Sequence, residues 1–433
     1  MPVDNSRIPG FNRLSVSERR QMILDISDLE TEDIDSWAKT GELGEDIASH
    51  MIENVVGTMS LPVGIATNFI IDGKHYLIPF AVEEASIVAA ASNMAKRCIQ
   101  TGGFITNCDD SIMIGQIQLL EVPDIEGAIR AIEERKESLI SLCNSLPSTI
   151  VKLGGGCKDI VCRKIETSNG IVLIVHLQVD CLDAMGANAV NTMTEFISPE
   201  IEVITGGTVN LRILSNLAVH RMARVEAVWK PEDLVTGNNS DGSEIINEII
   251  EAYNFACYDP FRATTHNKGI MNAISAISLA CGQDWRAIEA GCHAWAAFGN
   301  TSYSSLTKWE IDSEGNLVGS LECPIAVGIV GGASRVHPAA KTNLKLLGAN
   351  SAKELAGILV SAGLAQNLGA LRALATTGIQ RGHMKLHAEN MAISAGAKGD
   401  EISKVAEIIR NSDDRITQSS VEETLSKIRE QGI

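Results

Sequence analysis

The sequence is poor in aromatic residues, in positive charge and in long apolar runs. Phe, Trp and Tyr make up only 4% of the 433 residues, so the core has to be built mainly from Ala, Val, Ile, Leu and Met. A net charge of −18 argues against nucleic acid or an anionic membrane as partner, since both need a basic footprint. An anionic small substrate is still possible, provided a few local Arg or Lys side chains or helix N-termini receive it. No stretch reaches the roughly 18 consecutive apolar residues of a membrane-spanning helix. Pro324–Val330 is too short and Gly357–Ala375 is interrupted by polar residues. The first twenty positions are polar and charged, unlike a signal peptide. A cytoplasmic protein with no membrane partner is therefore expected. None of the ten cysteines forms a CxxC pair, and zinc-ligand spacing is missing, so reduced packing thiols and no metal are expected. A GxGxxG fingerprint is also absent, which leaves a Rossmann dinucleotide site with little support.

What is present is the composition of a globular enzyme: 45% hydrophobic and 21% charged residues. The length favours two or three domains. Residues 15–58 read as helical, with Ser17 as a possible cap. Alternation on both sides of Asp72-Gly73 predicts a hairpin over 61–82, and an Ala-rich helical pattern follows over 84–100. The character changes at 111. Ser111–Val122 is strand-like, 124–146 reads as one charged amphipathic helix, and Ile160–Ile165 and Ile171–Val179 flank a turn at Asn169-Gly170. Asn188–Phe196 is helical, and Val209–Ser215 is another strand. This β-α-β-β-α-β order predicts a ferredoxin-like insert. Residues 217–378 return to small-residue helices, and 379–433 form a charged helical tail.

Several short segments hold candidate chemistry. Asp183–Asn188 joins a buried strand to a helix start, with Gly186 allowing backbone approach. It is the best phosphate cradle in the chain, the alternative being an ordinary turn. Arg262–Asn272 reads as a glycine-containing loop with two cations, although a lone Lys268 is more often a solvated surface residue. Asp284 more often caps a helix than acts on a substrate. Glu83-Glu84, ending an apolar strand, are by default helix-start charges, but a carboxyl group in apolar surroundings can serve as an acid. His383 and His387 share a helix face if that stretch is helical, yet no third metal ligand accompanies them.

The segments Glu53–Gly57, Val82–Ser86, Asp183–Asn188, Thr265–Asn272, Gly282–Trp285 and Gly382–Met384, in this order along the chain, resemble the class II 3-hydroxy-3-methylglutaryl-CoA (HMG-CoA) reductases. The resemblance runs almost the full length. It implies an α+β fold: a large, mostly helical substrate domain (1–110 and 217–378), an inserted ferredoxin-like cofactor domain (111–216) and a C-terminal helical flap (379–433). It implies a four-electron reduction of HMG-CoA to mevalonate and coenzyme A, using two NADPH or NADH and no metal, for isoprenoid biosynthesis. The alternatives are the same enzyme run toward mevalonate oxidation, or a non-catalytic CoA-binding protein on this scaffold. By the same resemblance Glu84, Lys268, Asp284 and His383 are catalytic. Ser86, Arg262, Asn272 and Gln366 hold the HMG group, and Asp183, Met185, Gly186, Ala187, Asn188 and Asn216 hold the dinucleotide. Glu53–Gly57 resembles a dimerisation segment, which implies a homodimer with shared active sites, assembled into a hexamer. Two positions depart from the family pattern. Pro147, followed by Ser148 and Thr149, stands where NAD-preferring relatives carry an acid, which makes NADPH plausible. Asn12-Arg13 reverses the expected order of the N-terminal arm.

Overall fold

The computed structural model describes residues 5–38, 43–235, 241–376, 388–411 and 417–430. Three short helices open it: α1 (Val16–Ile26), α2 (Thr31–Ala38) and α3 (Glu45–Met51). The cap of α1 is Ser15 and not Ser17: its hydroxyl accepts from the Glu18 amide while the Glu18 carboxylate reaches back to the Ser15 amide. After Met51 the chain carries no regular structure until residue 63, so the helical reading of 15–58 overshoots.

The hairpin forms as the Asp72-Gly73 turn predicts. β1 (Val63–Ile71) pairs antiparallel with β2 (Lys74–Ala81), and both turn residues have positive φ, 49° and 78°. β3 (Phe104–Cys108) lies parallel to β1, and the sheet is completed by β8 (Met222–Trp229), β9 (Thr307–Ile311) and β10 (Leu317–Pro324) in the order β2-β1-β3-β8-β10-β9. The helix-only reading of 217–378 misses these last three strands. Part of the alternation in β8 is carried by Ala223 and Ala227, which suit a helix equally well. The scarce aromatic residues are concentrated here. Phe69 stacks on Phe104 at 5.4 Å, Phe104 meets Trp229 at 6.1 Å, and Trp229 meets Trp309 at 5.5 Å, forming a row across the sheet.

Against this sheet pack α4 (Ile87–Arg97), α10 (Gly242–Tyr258), α11 (Pro260–Ala280), α12 (Trp285–Trp295) and α14 (Ala352–Ala375), all contributing to one buried cluster. The short α9 (Pro231–Leu234) precedes α10, and α13 (Pro338–Leu347) precedes α14. Among the described residues α14 alone is long and apolar enough to cross a membrane, but 67% of its apolar window is buried in the protein, as befits a core helix. Gly363 lets α11 come close, since a Cβ there would lie 3.0 Å from Ile274 and 3.1 Å from Ile270. Asn367, one turn further along α14, bonds to His266, which lies earlier on α11, so the two helices run antiparallel.

The second sheet has its own core. Its elements are β4 (Ile112–Leu120), α5 (Ile125–Glu134), α6 (Lys136–Cys143), α7 (Thr149–Lys152), β5 (Gly156–Thr167), β6 (Gly170–Asp180), α8 (Ala187–Thr205) and β7 (Thr208–Ser215). The order β5-β6-β4-β7, antiparallel throughout, is the ferredoxin-like arrangement. The predicted single helix over 124–146 breaks at Arg135, which caps both halves. In contrast, α8 runs past Phe196 and through Pro199, because burial of Ile197 and Ile201 outweighs the proline penalty of about 3 kcal/mol. The charged tail contains helices Ala388–Ser394, Asp400–Asn411 and Gln418–Glu430, which share a small core including Ala392, Val405 and Leu425.

Candidate active site

Helix α11 carries Arg262 and Asn272 together with Lys268, and it replaces the loop predicted for Arg262–Asn272. Asp259 caps it by accepting from the amides of Phe261 and Arg262 at 3.2 and 3.3 Å, and Pro260 occupies its first position. Thr, His, Asn and Gly are weak helix formers, so the sequence signal is that of a loop. Burial of Ala263, His266, Asn267, Ile270 and Met271 overrides it. At 100° per residue, Arg262, Gly269, Thr265, Asn272 and Lys268 follow one another around a single flank of the helix.

Across that flank lies the turn after β2. Lys268 Nζ donates to Glu84 Oε2 at 3.1 Å, joining residues 184 positions apart. The lysine side chain is 60% exposed and the glutamate 29%, so the pair contributes little to stability. Ser86 follows as the cap of α4, with φ 79°, a conformation rarely held by a residue other than glycine. Gln366 sits above the same groove. On α14, Gly363 and Asn367 face α11 while Gly369 faces Ala90 and Met94 of α4, which places Gln366 over the seam between the two helices. Its Oε1 is buried and has no hydrogen-bond donor among the described residues. Arg262 is half-buried and has no acidic partner among the described residues, and burial alone lowers its pKa. A half-buried guanidinium in that condition calls for an anion.

Asp284 stands apart within the chain. It caps α12, accepting from the Ala287 amide at 3.1 Å, and among the described residues its ion-pair contact is Arg286 at 3.9 Å. The preceding Gln283 amide bonds to Ser278, near the end of α11, on the order of 15 Å along the helix axis from Lys268. One chain therefore joins Glu84 with Lys268 and leaves Asp284 out of reach. His383 lies outside the described residues, as does His387.

The dinucleotide candidates cluster at the start of α8. Gly186 has φ 100°, and a Cβ there would lie 2.1 Å from Cys181 Sγ, so only glycine fits. It provides no side-chain cap, and the first-turn amides of Ala187 and Asn188 keep their donors for a ligand. Asn188 and Asn216 are exposed at this end of the insert. Asp183 works in the scaffold: its Oδ1 accepts from the Ala352 amide at 2.8 Å, anchoring the loop to the start of α14. Arg221, missed in the sequence, is buried and donates to the carbonyls of Met185 and Ala184 at 3.0 and 3.1 Å. Gln283, also missed, accepts from the Gly328 amide at 2.9 Å, and a Cβ on Gly328 would collide with Met185 N at 2.5 Å. No local pattern marks these supports, because their partners are backbone atoms from distant segments.

The chain matches the family model for hydroxymethylglutaryl-coenzyme A reductase over residues 15–388. It is 53% identical to the 3-hydroxy-3-methylglutaryl-coenzyme A reductase of Archaeoglobus fulgidus, over 98% of this chain and 95% of that one. A probable reductase of the same name from Borreliella burgdorferi is 33% identical over 87% and 85% of the two chains. Among solved structures, the reductase from Streptococcus pneumoniae superposes with a TM-score of 0.82 at 38% identity, covering 98% and 99%. The class II enzyme from that organism bound to NADPH in open conformations gives 0.81 at 38% identity, covering 96% and 100%.

Proposed function

Because this chain belongs to the hydroxymethylglutaryl-coenzyme A reductase family and is an NAD(P)-dependent oxidoreductase reducing HMG-CoA to mevalonate and coenzyme A, we propose how its own residues divide that work. The bound nicotinamide supplies hydride, twice per turnover. The uncapped start of α8, where Gly186 holds a left-handed turn packed on Cys181, fits a pyrophosphate, so Asp183, Met185, Gly186, Ala187, Asn188 and Asn216, with the 111–216 insert around them, form the cofactor side. The flank of α11 forms the substrate side. Arg262 receives the free carboxylate, Gln366 Oε1 accepts from the tertiary hydroxyl, and Ser86 and Asn272 hold the remainder.

The contact between Lys268 and Glu84 carries this reading. As hydride reaches the thioester carbon, negative charge grows on its oxygen, and the Lys268 ammonium stabilises it. Glu84, in reach of the same oxygen, delivers a proton in the aldehyde reduction. Asp284 of the partner subunit completes the group. The exposed apolar side chains of Ile52, Val56, Met59, Tyr258 and Phe261 support such a shared site, because a second copy would cover them. The tail from 379 acts as the flap, with His383 protonating the departing CoA thiolate.

NADPH is the preferred cofactor in this reading. Gly155 packs against the carbonyl of Asp180 and against Leu182, which places the Pro147–Lys152 segment near the strand that leads into the dinucleotide loop. Ser148, Thr149 and Lys152 there offer hydroxyls and a cation where an acid would repel a 2′-phosphate. The test is initial rates of nicotinamide oxidation with HMG-CoA. A higher kcat/KM for NADPH than for NADH is expected. Faster turnover with NADH would remove the preference, and no HMG-CoA-dependent oxidation with either would remove the function.

A further inference from the structure

His266 lies directly behind the proposed substrate flank. Its Nε2 is 2.9 Å from Thr307 Oγ1, 2.8 Å from Ser305 Oγ and 3.2 Å from Asn367 Nδ2. The neighbours fix which ring nitrogen carries the proton. Trp309 Nε1 can only donate, and it donates to Asn367 Oδ1 at 2.9 Å, which leaves the Thr307 hydroxyl, 3.1 Å from that oxygen, able to turn its one proton toward His266 Nε2. The Asn367 amide thus turns its nitrogen toward His266. That nitrogen donates, so Nε2 accepts, and the proton of the neutral ring sits on Nδ1. Burial, aided by the charge of Arg262, keeps the ring neutral by pushing its pKa down to about 3.

The Nδ1–H is therefore a donor with a fixed orientation and no acceptor. It is buried, the residue being 2% exposed, and it has no partner among the described residues. Buried donors are rarely left in this state. Side chains on a helix lean toward its N-terminus, so the ring covers the turn that begins at Arg262. Two donors thus lie on adjacent turns, one charged and one neutral, and neither has an acid to serve among the described residues. A carboxylate has two oxygens, each able to accept. A hydroxyl or amide would leave the guanidinium charge unmet.

We propose that His266 is a further substrate-binding residue, whose Nδ1–H donates to the free carboxylate of the HMG group beside Arg262. The inference rests on the substrate assignment above. The carboxylate draws the half-exposed Arg262 side chain toward itself and opens the way to the ring behind it. A neutral donor suits this position, because a second cation there would repel Arg262.

Two substitutions separate the binding role from the packing role. The amide of His266→Gln reaches the Nε2 position and keeps the bonds to Asn367, Ser305 and Thr307, but it lacks the Nδ1–H. His266→Asn places its amide nitrogen at the Nδ1 position and abandons that network. Both full-length proteins are assayed with HMG-CoA and NADPH, with inhibition by 3-hydroxy-3-methylbutanoyl-CoA, which has no carboxylate, and by thermal melting. For His266→Gln the expected result is a KM for HMG-CoA raised about tenfold, the scale of a hydrogen bond to a charged group. Its KM for NADPH, its inhibition by the carboxylate-free thioester and its Tm should stay near wild type. His266→Asn should show the larger fall in Tm and the smaller rise in KM. The reverse order, or equal weakening toward both thioesters, overturns the proposal and leaves His266 a packing residue. A wild-type protein that does not turn over HMG-CoA overturns the substrate assignment instead.

Discussion

Lys268 and Glu84 meet on an exposed flank, where an ion pair adds at most about 1 kcal/mol to folding. Lys268→Ala should therefore melt close to wild type while losing about 10²-fold or more in kcat, the usual loss when a group stabilising an oxyanion is removed. Comparable turnover in the variant would take the oxyanion role away from Lys268. His266 sets an acid limit of a different kind. Its folded pKa, about 3, lies below the ordinary value of 6.5, so below 6.5 the unfolded chain binds a proton that the folded chain refuses. The stability it contributes is complete above 6.5 and falls as the pH drops from 6.5 toward 3. Urea unfolding across that window should show a shallower acid loss in His266→Gln, and an unchanged slope would mean that the ring is protonated in the folded state. These two residues also show what a sequence can convey. Lys268 was found through its motif, whereas the tautomer of His266 depends on Trp309 and Asn367, which only the fold brings near.

At the scale of elements, the turn residues were readable and the packing was not. Asp72-Gly73 fixed a hairpin because two positive φ values demand such residues. Helix α11 was hidden because its local propensity favours a loop and its stability comes from the face it buries. Strand β8 escaped because Ala223 and Ala227 carry little periodicity, whereas β9 and β10 do alternate, with Trp309, Leu317 and Leu321 on the buried side, and were passed over among the helical stretches around them. Helix α12 connects several parts of the proposed site. Asp284 caps it, Glu289 accepts from Ser275 of α11 at 2.5 Å, and Gly291 lies against the backbone of Asn216, where a Cβ would come within 2.7 Å of the carbonyl oxygen. Asp284→Ala should cost about 1 kcal/mol of stability through the lost cap, and a far larger fraction of turnover. Asp284→Asn keeps a capping side chain, so it should restore the melting temperature and not the rate. Recovery of both would reduce Asp284 to a cap. At the start of α8, Gly186→Ala should abolish nicotinamide binding by fluorescence titration, since its methyl group would occupy the place of Cys181 Sγ; binding at wild-type affinity would move the cradle elsewhere.

For the whole molecule, the six motifs point to one family, and the ferredoxin-like order of the insert is legible from its alternating strands, its two helical stretches and the turn at Asn169-Gly170. The chain by itself does not bring every proposed catalytic side chain together. Glu84 and Lys268 converge within it, while the course of α11 holds Asp284 on the order of 15 Å away. The Glu53–Gly57 motif implies a shared site, but nothing in a sequence reveals which of two identical chains supplies a given side chain. If the site is shared, two inactive variants should repair one another. Lys268→Ala and Asp284→Ala, each purified, mixed, unfolded and refolded together, form mixed dimers in which one of the two sites has every residue intact. The account predicts return of HMG-CoA-dependent NADPH oxidation to about a quarter of the wild-type rate, from random pairing in a two-fold assembly. A mixture as inactive as its parents, with dimer exchange confirmed by mass, would contradict it.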